Sequence, residues 1–164
     1  MEPLVKIWGT VEGTMRAGLH LTNGDPCDPY SDVILHVCEE TAVVDGGSGL
    51  PIGAEHLREG TALRAWVGPV MMMSLPPQLT AEVVVAGLPE GMAAELCIVA
   101  EAEQGADGVA VTAVDGKTFM VPSAADIAPW RTRQLVRLED ITAGRKILVW
   151  QDEAGAVTRV VLFP

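Results

Sequence analysis

Apolar and polar positions alternate with a period of two along most of the chain. Val5, Ile7 and Val11 are spaced by polar or small residues, Leu19 and Leu21 flank His20, and Leu63, Ala65 and Val67 oppose Arg64 and Trp66. Successive side chains of an extended backbone leave on opposite faces, so this period predicts half-buried β-strands. The alternating runs are short and are bounded by turn formers. Asn23-Gly24-Asp25-Pro26-Cys27-Asp28-Pro29 cannot hold a ladder, and Gly46-Gly47-Ser48-Gly49 breaks the chain again. A third strand is expected over 33–37, continuing after Glu39-Glu40 into 41–44. The segment 54–60 has room for one helical turn ended by Gly60.

The pattern recurs. Leu57 to Trp66 superimposes on Ile141 to Trp150 at an offset of 84, matching apolar, Gly and Trp positions. The same offset sets Leu35 on Phe119, His36 on Met120, Val37 on Val121 and Ile52 on Val136. With shifts, Val5–Gly13 resembles Cys97–Gly105, Leu19–Thr22 resembles Val109–Thr112, and Thr80–Ala86 resembles Val157–Phe163. The last offset, 77, implies about seven extra residues between the final two strands of the first copy. A repeat of this kind predicts a duplicated core. Each copy reads strand, turn, strand, loop, strand, short helical turn, strand, strand, an order found in OB-like barrels, with an SH3-like barrel as the rival. The expected fold is all-β: two tandem small barrel units packed together, residues 1–88 and 92–164, joined at Leu88-Pro89-Glu90-Gly91. The first carries an insertion loop at 68–78.

Composition narrows the functional classes. Hydrophobic residues make up 49% of the chain and aromatics 4%, so the core must come from aliphatic side chains, and valine richness favours strands. A formal charge of −11 repels a phosphate backbone and an anionic membrane surface alike, which argues against nucleic acid as a partner. No apolar run reaches the roughly 20 residues of a membrane span. The N-terminus lacks the basic-then-apolar plan of a signal peptide, consistent with a cytoplasmic protein or a removed export segment. Cys27, Cys38 and Cys97 form no CxxC and read as partly buried thiols. A Cys27–Cys38 disulfide is compatible with the sequence and not indicated by it.

Motifs for catalysis are missing from the sequence: there is no GxSxG, P-loop or GxGxxG, and His20, His36 and His56 show no HxH, HxxxH or HExxH spacing. Acidic Asp25, Asp28 and Asp32 surround Tyr30 without EF-hand spacing and read as a solvated turn. The distinctive segment is the insertion, Gly68-Pro69-Val70-Met71-Met72-Met73-Ser74-Leu75-Pro76-Pro77-Gln78, because barrel geometry does not demand consecutive Met and Pro. Thioethers are soft ligands suited to Cu(I), and Met is also an adaptable packing residue.

Together with Asp28-Pro29-Tyr30-Ser31-Asp32-Val33-Ile34-Leu35 and Pro129-Trp130-Arg131-Thr132-Arg133-Gln134-Leu135-Val136, this string resembles a family of uncharacterised Gram-positive bacterial proteins. Some members of that family carry a copper-amine-oxidase-like N-terminal domain. The resemblance implies an exported or envelope-associated protein and supplies no catalytic residue. The expected function is a non-catalytic interaction module of the cell envelope, with no cofactor, binding a protein or envelope partner through Met71, Met72, Met73, Ser74 and Leu75. The alternative is copper or other soft-metal handling by the same loop.

Overall fold

The structure is a computed structural model that describes residues 4–16, 18–132 and 134–164, and of residues 69–71 the backbone alone. It contains β-strands and two short 3-10 turns and divides into two compact units, Met1–Leu88 and Pro89–Pro164. The first unit holds β1 (Val5–Met15), β2 (Gly18–Thr22), β3 (Asp32–His36), β4 (Ala42–Asp45), a 3-10 turn (Ala54–His56), β5 (Ala62–Met72) and β6 (Gln78–Ala86). The second holds β7 (Ala93–Gly105), β8 (Gly108–Ala113), β9 (Thr118–Pro122), β10 (Asp126–Pro129), a 3-10 turn (Leu138–Asp140), β11 (Lys146–Gln151) and β12 (Val157–Leu162).

In the first unit the strands lie in the order β3-β2-β1-β5-β6-β4, and a parallel β3–β6 pairing closes five of them into a barrel. With the 3-10 turn between its third and fourth strands, this is the OB-like arrangement. The inward faces supply one core, in which Ile7, Val11, Leu21, Leu35, Leu63, Leu79 and Val84 are all buried. The expected run from β3 into β4 separates into two strands. β3 pairs with β2 and β6, whereas β4 runs parallel to β6 further along, across a turn in which Cys38 N–H donates to Thr41 Oγ1 at 3.1 Å.

The second unit repeats the strand order, β10-β12-β11-β7-β8-β9, with its own core around Val99, Val111, Phe119, Val121, Ile147 and Leu162. Register gives the correspondence residue by residue. Leu63 pairs with Gly9 and Ala86, and Ile147 with Cys97 and Leu162. Thr14 faces Leu19, which faces Leu35; Ala102 faces Val111, which faces Phe119. Leu35 and Phe119 therefore occupy one barrel position, at the expected offset of 84.

Other offsets differ from expectation. Gly9 stands opposite Leu63 as Cys97 stands opposite Ile147, so the first strands correspond at 88, four residues away from the sequence match. The second strands correspond at 92 rather than 90, as Leu19 and Val111 show. These slips are even, and an even slip keeps every side chain on its own face, so alternation fits both registers equally. The last strands correspond at 76 rather than 77. There Val83, Val84, Val85 and Ala86 are buried without alternation, as are Val160, Val161, Leu162 and Phe163, and nothing in the pattern pins an odd slip.

Trp66 also departs from a half-buried strand. It leaves β5 on the face opposite Leu63 and Ala65, yet is 3% exposed, with Lys6 Nζ 5.6 Å from its ring centroid. Trp150, at the same position of the second unit, is 1% exposed beneath Arg159 Cζ at 5.7 Å. The cation comes from the preceding neighbour strand in one unit and from the following one in the other, with Ala94 and Val83 at the vacated sites.

Candidate functional site

Between Trp66 and Val83 the first unit has eight residues more than the second has between Trp150 and Arg159, counted from their pairing. This insertion lengthens the β5–β6 hairpin. Met71 pairs with Leu79 and Met72 with Gln78 beyond an irregularity at 68–70. On the return strand Gln78, Leu79 and Thr80 pair with Ile34, Leu35 and His36, and Ile34 N–H donates to Pro77 O at 2.9 Å. The inserted length thus supplies the seam that closes the barrel, and Leu79 is 2% exposed beside Leu35 in its core. In the second unit Asp152 caps a tight turn, accepting from Ala154 N–H at 3.0 Å and Ala156 N–H at 2.9 Å, and β12 runs close to β9 with no ladder between them among the described residues.

Only the tip of the hairpin has the character of a free loop. Met72 is 63% exposed, Met73 85% and Leu75 100%. The side chain of Met71 lies outside the described residues. Ser74 is held inside the turn: its N–H donates to Met72 O at 2.9 Å and its hydroxyl to Pro76 O at 2.7 Å. The Leu75–Pro76 peptide is cis. The five residues predicted to act together therefore divide, with three exposed apolar side chains at the tip and one hydroxyl that shapes it.

A chain of hydrogen bonds runs from this turn to the barrel end. Gln78 Nε2 donates to Ser74 Oγ at 3.3 Å, and His36 Nε2 lies 2.8 Å from Gln78 Oε1. Because Ser74 Oγ already donates its proton to Pro76 O, it must accept from the Gln78 amide. That orientation turns Oε1 to His36, so His36 Nε2 carries the hydrogen and the neutral ring keeps its lone pair on Nδ1. His36 also lines an open groove of about 340 Å³, with Met15, Arg16, Leu19, Cys38 and Leu57 among its walls. Sequence spacing gave no sign of this groove, since its walls come from the β1–β2 hairpin, the end of β3 and the 3-10 turn.

The remaining candidates stand apart. His20 Nε2 lies 2.6 Å from Asp32 Oδ1 across β2 and β3, and His56 is exposed near Glu55. Asp25 and Asp28 accept backbone N–H bonds from Cys27 and Tyr30 within their own turn. Cys27 and Cys38 are exposed free thiols, and Cys97 is buried, its pKa pushed up to about 12 by burial and by Asp115 and Glu95. Among the described residues no three His, Cys, Asp or Glu side chains gather into a metal-binding group. No helix of the described residues is long and apolar enough to cross a membrane. In comparison with known proteins, no family model and no curated protein matches the chain.

Proposed function

We propose that the chain is a non-catalytic interaction module of the bacterial cell envelope whose hairpin tip, Met72, Met73 and Leu75, docks into a partner. The observation that carries this reading is the exposure of three large apolar side chains on a turn braced by Ser74, at the end of a hairpin extension that the second unit lacks. A braced turn beneath exposed apolar groups limits the backbone entropy lost on docking, which favours recognition. The net charge of −11 favours a neutral or basic partner over nucleic acid. The envelope setting rests on the family resemblance of the Met-Pro string. Duplication of one ancestral barrel accounts for the common strand order.

The test is photocrosslinking in cells with a photoreactive methionine analogue confined to position 73, by replacing the other methionines with leucine. One discrete adduct, lost in Leu75→Asp with the melting temperature unchanged, is the expected result. A smear unaffected by Leu75→Asp counts against the tip. The alternative, soft-metal handling, is favoured by His36, Cys38 and Met15 lining one groove, with the His36 Nδ1 lone pair free of the Gln78 bond. Titration of the reduced protein with Cu(I) against a competing chelator decides it, and affinity weaker than micromolar ends that reading.

A further inference from the structure

The two units also differ at the sheet end where the fourth strand meets the last. Ala42 pairs with Val83 as Asp126 pairs with Arg159, so β4 and β10 correspond at the offset of 84. Gly46 N–H donates to Ala86 O at 2.7 Å, and Trp130 N–H to Leu162 O at 3.1 Å. Likewise Gly87 N–H donates to Ala62 O at 3.1 Å, and Phe163 N–H to Lys146 O at 3.0 Å. Two glycines of the first unit are therefore two aromatics in the second. A Cβ on Gly46 would lie 2.7 Å from the Leu88 backbone, whereas the second unit holds an indole at that place, its ring centroid 5.4 Å from that of Phe163.

Cations accompany the aromatics. At the same offset Arg131, Arg133, Arg137, Arg145 and Lys146 stand where the first unit has Gly47, Gly49, Gly53, Thr61 and Ala62. These five are nearly half of the 11 Lys and Arg residues of an acidic chain. Arg131 Cζ lies 5.4 Å from the Trp130 ring centroid, Lys146 Nζ lies 5.1 Å from that of Phe163, and Arg145 Nε donates to Phe163 O at 3.1 Å. Arg131 is the only described residue other than glycine with a positive φ, 50°, whereas Gly47 is not in that region. The scaffold itself therefore does not demand the left-handed turn. Its effect is to lay two successive side chains together, which an extended backbone would send apart. Neither Arg131 nor Arg145 forms an ion pair among the described residues. A guanidinium over a ring face keeps its in-plane N–H groups for a bidentate carboxylate.

We propose that Arg131 and Arg145, on the Trp130–Phe163 platform, bind a short acidic segment of a partner protein. Carboxylates of the segment take the two guanidiniums, and its apolar residues have Leu135, 88% exposed in the same loop, to pack on. The charge of the whole chain limits the segment. At −11, and with Glu139 and Asp140 following directly in sequence, a long polyanion or a uniformly acidic partner is repelled. The carboxylates must be few, on a partner otherwise neutral or basic. That is the same partner character the Met72–Leu75 tip calls for, but this site belongs to the second unit and does not depend on the tip.

The probes are a capped peptide, Leu-Asp-Glu-Leu-Asp-Glu, its Asn/Gln counterpart, and inorganic polyphosphate. Each is titrated at low salt into the full-length protein labelled with ¹⁵N. The expected result is saturable shifts of the Trp130 indole and of the Arg131 and Arg145 Nε–H signals with the acidic peptide, and binding weaker by about tenfold or more for the Asn/Gln version. Arg131→Gly and Arg145→Thr restore the residues of the first unit, and together they should cost the acidic peptide a similar factor at an unchanged melting temperature. Arg131→Gly alone, which removes the left-handed arginine, keeps the test readable should Arg145→Thr lower that temperature. Absence of shifts at these signals, equal binding of the Asn/Gln peptide, or full affinity in Arg131→Gly would each overturn the proposal. So would polyphosphate binding there more tightly than the peptide, which would make the cluster a phosphate site.

Discussion

Replacing Leu79 by Ala tests whether the methionine insertion is scaffold at its root. Leu79 is 2% exposed, sits opposite Leu35 across the seam and opposite Met71 across the hairpin, and belongs to the core of the first barrel. Truncation removes three buried carbon atoms and leaves a void at the closing strand, where β3 and β6 are held by main-chain bonds and cannot collapse freely. The cost for such a site is about 3 kcal/mol, within the roughly 2–5 kcal/mol of buried leucine truncations. That is a large part of a domain stability of roughly 5–15 kcal/mol. Met73→Ala, at the hairpin tip and 85% exposed, should change stability by less than about 0.5 kcal/mol.

Urea unfolding followed by far-UV circular dichroism and tryptophan fluorescence measures both variants. The expected pattern is a lowered midpoint at unchanged slope for Leu79→Ala and a wild-type curve for Met73→Ala. Exchange of the Ile34 amide, which is bonded to Pro77 O, should accelerate in the first variant and not in the second. A Leu79→Ala cost below about 1 kcal/mol would refute the closure argument, because a buried leucine in a rigid seam cannot be removed so cheaply.

Three further outcomes follow from the same structure. Cys27 and Cys38 should react with an aromatic disulfide reagent at neutral pH within minutes and Cys97 only on unfolding, so two thiols of three titrate in the native protein. Cys97 has a folded pKa of about 12 against an ordinary 9.0, so the native state holds its proton more tightly than the unfolded chain does. The associated stability is intact below pH 9 and is lost as pH rises toward 12, by on the order of 3 kcal/mol at pH 11; Cys97→Ala should lack that component in paired urea titrations at pH 8 and 11. Gly108 has φ of 148°, and a Cβ there would meet the Val121 carbonyl, so Gly108→Ala should destabilise by roughly 2 kcal/mol or more in the same urea assay.

The all-β class, the small barrel units and the correspondence of the β5 and β11 strands were legible because each rests on local information. Period-two alternation marks a strand wherever one face is buried, and Leu57–Trp66 against Ile141–Trp150 retains turn, glycine and tryptophan in one ungapped block. The register of the other strands was legible only up to parity. Hairpins change length in pairs of residues when both strands extend, as β7 and β8 do beyond β1 and β2, and alternation cannot count such pairs. In β6 and β12 even parity is lost, because residues on both faces are buried.

The methionine segment shows why the candidate site was only half legible. Its composition marks an unusual loop, and Met72, Met73 and Leu75 are exposed at its tip. The role of its C-terminal part depends on β3, more than 40 residues earlier, and on a parallel pairing that no local pattern announces. Leu79 reads in sequence as one more alternating apolar residue. In the barrel it closes the ring, and the same position in the second unit is Gly155, in a turn. Phe119 stands in place of Leu35 and is buried in the second core, where β9 has a ladder to β8 and none to β12 among the described residues. Side-chain packing and edge pairing are thus satisfied separately in these units: Phe119 is buried in the second core although no ladder joins β9 to β12 among the described residues.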